Sequence, residues 1–209
     1  MDVMVVRRAK AVGLVLGPVM MATSTFFWVD GEHGATGGTL AALSLVPWAF
    51  GLLGEYDRLR GQAPRLSAAW LLFFLYGVLG GVSFGLRDFY DAAFHVSQAD
   101  SVHAFAAYPL QAQVILWLAG PAFPLSLLAL AGLQWVTRRT PRWATLLLAA
   151  GAVAFPASRI PRIELVAHVA DFVLVAAFAY LAWLHWARAQ ESITPPAGPR
   201  AGTVSSSAG

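Results

Sequence analysis

The sequence predicts an all-α integral membrane protein with six transmembrane helices, and three observations indicate this fold class. Of the 209 residues, 58% are hydrophobic and only 12% are charged, whereas soluble domains of this size carry about 25% charged residues. The mean hydropathy is +0.62. The apolar residues also fall into long runs, and a helix needs about 20 such residues to cross the hydrocarbon core of a bilayer. A lipid bilayer is therefore the expected partner of most of the chain.

The apolar runs define one transmembrane domain, which we expect to cover residues 11–187. Its six spans are expected at about residues 11–29, 37–54, 67–86, 109–136, 143–157 and 163–187. A basic head, residues 1–10, precedes the first span, so the alternative for this span is a signal peptide cleaved near Ala22 to Ser24. Residues 188–209 are rich in Pro, Gly, Ser and Ala, a composition that predicts a disordered tail.

The segments between the spans are polar and too short to bury a core of their own, so no soluble domain is expected. Residues 30–38 form a glycine-rich turn that contains His33, which we expect to be exposed. Residues 55–65 read as a charged loop, and residues 87–103 are the longest polar stretch between two spans. Near the end of the sixth span, His185 has tryptophans close by and is expected to lie at the membrane interface.

Two features of the spans concern helix packing. Gly77, Gly81 and Gly85 recur every four residues in the third span, a stripe of small residues that lets another helix approach closely. We expect this face to serve packing or the assembly of a homo-oligomer. Pro121 and Pro124 lie in the middle of the fourth span, and proline inside a helix predicts a kink or a break there.

The distribution of positive charge predicts the orientation of the chain. With six spans, both termini lie on one side of the membrane. The head, the second and fourth connections and the tail hold eleven of the fourteen Lys and Arg residues, at positions 7, 8, 10, 58, 60, 65, 138, 139, 142, 188 and 200. Because positive charge concentrates in cytoplasmic segments, we expect a plasma-membrane protein with both termini in the cytoplasm. The remaining three, Arg87, Arg159 and Arg162, then lie on the outer side.

Composition excludes several classes of site and partner. The chain has no cysteine, which excludes disulfides, thiolate metal sites and a cysteine nucleophile. The net charge of +3 comes from short basic clusters between apolar runs, so membrane orientation explains it and no nucleic-acid partner is expected. Thirteen of the fourteen basic residues are Arg, and Ala is abundant, which indicates a bacterial chain from a GC-rich genome. No sequence motif identifies a cofactor or a protein family.

Residues 158–171 are the strongest candidate for a functional site. They place two arginines, two carboxylates and a histidine between two apolar runs, and charge at such a place is costly unless it is paired. Glu164, His168 and Asp171 are spaced i, i+4, i+7 and share one helical face. At 1.5 Å per residue, Asp171 lies about 10 Å deeper than Glu164, so we expect it to pair with a cation, take up a proton or reach water. The nearest candidate partners in sequence are Arg159 and Arg162, and Arg87 is a third.

A second titratable group follows the third span. Asp88, Asp91 and His95 are spaced i, i+3, i+7, and if the third helix continues they share the side of its glycine stripe and face the interior. We therefore expect one outward-facing polar cluster between spans 3 and 6. Its candidate catalytic residues are His168, Asp171 and Glu164, and its candidate substrate-binding residues are Arg159, Arg162, Arg87, Asp88, Asp91 and His95. Arginine suits this place because its guanidinium clamps a carboxylate or a phosphate with paired hydrogen bonds.

Four functions remain open for this cluster. The first is a membrane-embedded enzyme acting on a lipophilic substrate, with His168 or a neighbouring carboxylate as general acid or base. The second is a small-molecule or proton-coupled transporter in which Asp171 and His168 titrate. The third is a structural polar network without catalysis, and the fourth is a metal site of His95, His168 and Asp171, which would suit Zn, Mn or non-haem Fe. An enzyme predicts a closed pocket, whereas a carrier predicts a polar path to the cytoplasm.

Overall fold

The computed structural model describes residues 3–29 and 32–191, and within these ranges every regular element is a helix. The helices are α1 Val3–Thr25, α2 Gly34–Leu59, α3 Pro64–Ala93, α4 Gln98–Phe105, α5 Pro109–Thr137, α6 Arg142–Arg159 and α7 Glu164–Glu191. The predicted all-α fold class is confirmed. Most of the predicted basic head belongs to α1. The predicted disordered tail lies outside the described residues from position 192 onward, and residues 188–191 continue α7.

Among the described residues, four helices are long and apolar enough to cross a membrane, namely α2, α3, α5 and α7. They coincide with the second, third, fourth and sixth predicted spans and indicate a membrane protein. Helices α1 and α6 lie where the first and fifth spans are expected. They are not among the helices that are long and apolar enough to be counted as spans. Charge explains the difference, because α6 has an arginine at each end and α1 carries three basic residues near its start.

In the described part of the chain, six long helices form a closed ring. Helix α1 packs against α2, α2 against α3, α3 against α5, α5 against α6, α6 against α7, and α7 against α1. Helices α3 and α7 therefore stand on opposite sides of the ring. The sequence-based expectation placed one polar cluster between these two helices, but they are not neighbours in the ring. Helical spacing gives the direction in which side chains point and does not identify the helix that they meet.

Aromatic side chains fill the centre of the ring. Trp48 of α2 is enclosed and lies edge-on to Phe123 of α5 and Phe178 of α7, at 5.1 Å between ring centroids in both pairs. Phe74 of α3 packs against the same Phe123 ring. Such pairs add about 0.5–1.5 kcal/mol beyond the area they bury. This apolar layer, formed by Trp48, Phe74, Phe123 and Phe178, separates the two ends of the bundle.

Glycines let α3 approach both of its neighbours closely. A Cβ atom at Gly77 or Gly80 would collide with the backbone of α5, and one at Gly85 would collide with the backbone of α2. A Cβ at Gly81 would meet the side chain of Leu45. The glycine stripe therefore serves packing inside one chain. These contacts do not require the homo-oligomer predicted through the same face, which stays a prediction.

Helix α5 is continuous through Pro121 and Pro124, so the predicted break does not occur. The backbone widens instead into a π-helical segment at Gln113–Leu118, just before Pro121. Pro121 has no N–H to offer the carbonyl of Trp117, and its ring crowds that carbonyl. A wider turn accommodates both effects. Residues of this irregular region, Trp117 among them, line a large cavity.

Candidate functional site

A cavity of about 660 Å³ lies at the end of the bundle where α3 and α6 finish and α2 begins. Its apolar floor is formed by Met21, Ala41, Leu45, Trp117, Phe123 and Phe155. Its polar lining consists of Trp28, Glu32, His33, Arg87, Asp88, Asp91, His95, Gln98, Arg159 and Arg162. The three arginines outside the basic segments are thus brought to one place. A concave apolar site with a few convergent polar groups is the usual form of a small-molecule site, which typically encloses about 300–1,000 Å³.

Arg159, the last residue of α6, connects three helices at the cavity wall. Its Nη2 donates to Oδ1 of Asp171 on α7 at 2.8 Å, and Thr25 of α1 donates to Oδ2 of the same carboxylate at 2.6 Å. The guanidinium lies over the Phe155 ring, with Cζ 3.7 Å from the ring centroid. Asp171 is only 2% exposed and does not line the cavity. Arg159 is therefore the member of the pair that reaches the cavity, and Asp171 positions it.

Helix α3 continues beyond its predicted span to Ala93, which places Arg87, Asp88 and Asp91 on its last turns. Nη2 of Arg87 donates to Oδ1 of Asp88 at 2.8 Å, whereas Nε lies 3.6 Å from Oδ2 of Asp91, beyond hydrogen-bond distance. Asp91 accepts a hydrogen bond from Ser101, which fastens α4 beside the cavity. The Arg87 side chain is 10% exposed, and its buried Nε has no hydrogen-bond partner among the described residues.

His33 is not the exposed loop histidine that the sequence predicts. Its Nδ1 lies 2.9 Å from Oδ2 of Asp88, and its side chain is 14% exposed. Because a carboxylate accepts hydrogen bonds, Nδ1 carries the proton of the neutral ring and Nε2 is the basic nitrogen. Nε2 is buried without a hydrogen-bond partner in residues 3–29 and 32–191, and Trp28 lies edge-on to the ring. A histidine oriented by a carboxylate, with its second nitrogen unpaired, is the arrangement of a general base.

Two lining residues, His95 and Arg162, have left-handed backbone conformations although neither is glycine. Their φ values are +55° and +58°, and they follow the ends of α3 and α6. A side chain in this region costs roughly 1–2 kcal/mol, and glycine is the usual residue after a helix end. Such strain concentrates at ligand-binding and catalytic sites. Arg162 uses its side chain to reach Glu32, with Nη1 3.4 Å from Oε1.

Glu164 and His168, two of the predicted catalytic residues, do not line the cavity. The His168 ring lies 4.4 Å from the Phe26 ring, and its Nε2 lies 3.6 Å from Oε1 of the exposed Glu164. They share a helical face with Asp171, but burial increases along that face and only Asp171 is enclosed. Of these three residues, only Asp171 is connected to the cavity, through its ion pair with Arg159.

The metal alternative of His95, His168 and Asp171 is not assembled. His95 lines the cavity at the end of α3, whereas His168 and Asp171 belong to α7 on the opposite side of the ring. Within the part of the chain that the structure describes, no group of three or more His, Asp or Glu side chains is placed to hold a metal ion.

A second polar cluster, which sequence reasoning missed, lies at the opposite end of the bundle. Glu55 of α2 is 0% exposed. Its carboxylate accepts hydrogen bonds from Arg58, from Nε2 of His185 at 2.7 Å and from Nε2 of Gln134 at 3.0 Å. Arg58 also donates to Thr140, so the cluster joins α2, α5, α7 and the turn before α6. We call Glu55, Arg58, Gln134 and His185 the Glu55 cluster; His185 is thus more than the interfacial residue predicted.

The cavity combines a candidate general base, three guanidinium groups and an apolar floor. A histidine with a carboxylate partner can move a proton, and guanidinium groups can hold an oxyanion. The apolar floor suits a hydrocarbon group. No protein-family model, curated protein or solved structure matches the chain.

Proposed function

We propose that the chain is a multi-pass plasma-membrane protein with six spans and both termini in the cytoplasm. Closure of the ring supports the number of spans, because α1 and α6 complete the same bundle as the four apolar helices. The eleven Lys and Arg residues of the head, the tail and two connections support the orientation. In this orientation the cavity lies towards the outer leaflet and the Glu55 cluster lies towards the cytoplasm.

A chain without cysteine allows this orientation to be measured with single introduced thiols. Asp100 in α4 and Gln62 in the turn after α2 are both exposed and lie at opposite ends of the bundle. A membrane-impermeant maleimide is expected to label Asp100→Cys in intact cells, and Gln62→Cys only after permeabilisation. The reverse pattern would invert the proposed orientation, and labelling of both sites in intact cells would contradict it.

The proposed activity is acid–base catalysis on a lipophilic substrate at the outer half of the membrane. The observation that carries it is the His33–Asp88 pair on the cavity wall, with 2.9 Å between Nδ1 and Oδ2 and with Nε2 unpaired within the described ranges. His33 takes the role that the sequence suggested for His168, because His168 lies outside the cavity.

In this proposal, Nε2 of His33 accepts a proton from a substrate hydroxyl group or from a water molecule. Asp88 keeps the ring in the required tautomer and stabilises the imidazolium that forms. The deprotonated oxygen attacks the electrophilic atom of the substrate, and the imidazolium returns the proton to the leaving group. Arg87, which donates to the same Asp88 carboxylate at 2.8 Å, is placed to stabilise the negative charge that develops.

The variant His33→Gln is expected to lower turnover about 10²-fold or more, because general acid–base catalysis contributes about 10²–10⁴-fold. The purified chain is reconstituted with a total membrane lipid extract, and lipid conversion is followed by mass spectrometry. His103→Gln is the control, because His103 is exposed on α4 and does not line the cavity. The proposal fails when the unmodified chain converts no lipid, or when the two variants behave alike.

A proton-coupled transporter is the second candidate, and the Glu55 cluster is the observation that favours it. A carrier needs titratable groups on both sides, and polar clusters occupy both ends of this bundle. The apolar layer around Trp48 and Phe123 lies between them, so a carrier has to open that layer. Solute uptake into vesicles that persists in His33→Gln identifies the carrier. Absence of both conversion and uptake leaves the structural polar network.

A further inference from the structure

We infer that the cavity takes an amphiphile with a singly charged, oxygen-rich head group, such as a phosphodiester or a carboxylate, and one hydrocarbon chain. The inference rests on the proposed function in one respect, namely that this ligand is the substrate. The class of ligand follows from the cavity lining, through its hydrogen-bond donors, its charges and the position of its aromatic rings.

The lining offers more hydrogen-bond donors than acceptors. Each guanidinium carries five N–H groups and no acceptor, and Arg87, Arg159 and Arg162 use only some of them on protein partners. Nε of Arg87 and Nε1 of Trp28 are buried donors without a hydrogen-bond partner among the described residues. Asp88, in contrast, already engages both of its carboxylate oxygens. A buried donor left without an acceptor is costly, so a head group rich in acceptor oxygens completes this site.

The charges of the lining balance one another, and this limits the charge of the head group. Three arginines share the cavity with Glu32, Asp88 and Asp91, while Asp171 pairs with Arg159 behind the wall. The cavity is therefore not a strongly positive site that would favour a doubly charged phosphate monoester. A single negative charge suits it better, when that charge is spread over acceptor oxygens that meet the N–H donors of Arg87 and Trp28 left without a partner among the described residues. Affinity then depends on the placement of N–H donors at short range, so we expect only weak dependence on salt.

Two of the three guanidinium groups lie on aromatic rings, which we take as the border between head-group and chain regions. Arg159 lies over Phe155 with 3.7 Å from Cζ to the ring centroid, and Arg87 lies over Phe84 at 5.2 Å. The lining also includes apolar residues such as Met21 and Leu45. A volume of about 660 Å³ accommodates a head group with one chain segment, as drug-sized sites do. The second chain of a diacyl lipid would have to remain in the bilayer.

Calorimetric titration of the purified chain in a neutral maltoside detergent tests this ligand class with matched lipids. Lysophosphatidylglycerol carries one phosphodiester charge, and monoacylglycerol of the same chain length lacks it. We expect the charged lipid to bind at least about tenfold more tightly, because one charge-assisted hydrogen bond is worth that factor. Inorganic phosphate alone is expected not to bind. Equal affinity for the two lipids would overturn the inference, and phosphate binding as strong as that of the charged lipid would assign the cavity to a free anion.

Two cavity variants and one control identify the groups responsible. Arg162→Gly removes a guanidinium at a positive φ that glycine adopts without strain, so the fold is expected to persist while affinity for lysophosphatidylglycerol falls about tenfold. Arg87→Gln is expected to weaken binding in the same way. Arg60→Gln is the control, because Arg60 is exposed at the other end of the bundle. Undiminished affinity in both cavity variants would overturn the inference.

The His33→Gln variant separates the ligand class from the proposed catalysis. His33 is the base, so its replacement is expected to lower turnover about 10²-fold or more. The affinity for lysophosphatidylglycerol is expected to stay within a factor of about two, because the guanidinium donors for the head group are unchanged, and this is small beside the tenfold worth of a charge-assisted hydrogen bond. Tight binding of the charged lipid without turnover by the unmodified chain would refute the enzyme and keep the ligand class. Turnover that depends on His33 but acts on neutral lipids alone would refute the ligand class and keep the enzyme.

Discussion

Asp171→Asn is expected to lower the midpoint of thermal unfolding by about 6–20 °C. The substitution keeps the side-chain shape and an acceptor for Thr25, but it leaves Arg159 inside the bundle without its counter-ion. Removal of one partner from a buried ion pair costs about 3–5 kcal/mol, and in chains of this length each kcal/mol shifts the midpoint by about 2–4 °C. Circular dichroism of the purified chain in detergent measures the effect. An unchanged midpoint would show that the pair does not stabilise the fold.

The double variant Arg159→Met with Asp171→Leu is the matched control. It removes both charges and fills their places with apolar side chains, a change that is often neutral or stabilising for a buried pair. We expect a midpoint near that of the unmodified chain. Binding of lysophosphatidylglycerol should nevertheless weaken, because Arg159 lines the cavity. A stable double variant that still binds lysophosphatidylglycerol fully would show that the pair only connects α6 to α7.

Hydropathy predicts where the helices of this chain lie, because a helix that crosses a bilayer needs a long apolar run, whichever helices it packs against. Each predicted span coincides with a helix, and α3 continues through Asp88 and Asp91. Hydropathy does not predict the order of helices around the ring. The glycines show why: Gly77 packs against α5 and Gly85 against α2, so a single stripe serves two neighbours.

The parts of the site that sequence reasoning found are local, and the parts it missed are distant in the chain. Arg159 and Asp171 are only 12 residues apart, on either side of the short turn between α6 and α7. His33 and Asp88 are 55 residues apart, and Glu55 and His185 are 130 apart. The first contact depends on how α2 packs against α3, and the second depends on closure of the ring, which brings α7 back to α1. A histidine in a glycine-rich turn and a glutamate at the start of a charged segment therefore look like exposed polar residues.

Glu55→Gln is expected to destabilise the fold by about 3–5 kcal/mol, again because one partner of a buried ion pair is removed. The Glu55 carboxylate is 0% exposed and accepts hydrogen bonds from Arg58, His185 and Gln134. A glutamine would leave Arg58 without a buried counter-ion. Its amide group would also turn a donor towards one of the three existing donors, which costs about 1–3 kcal/mol for the group left unsatisfied.

Asp57→Asn provides a matched control two residues further along α2. Asp57 is 43% exposed and pairs with Lys10 and Arg60, and such surface pairs contribute only about 0–1 kcal/mol. Thermal unfolding should therefore separate the two variants clearly, and equal midpoints would contradict a stabilising role for the Glu55 cluster.

Lipid conversion and solute uptake test whether the Glu55 cluster also has a functional role. The Glu55 cluster and His33 lie on opposite sides of the apolar layer. An enzyme is therefore expected to keep its turnover in the folded Glu55→Gln variant, whereas a carrier is expected to lose uptake.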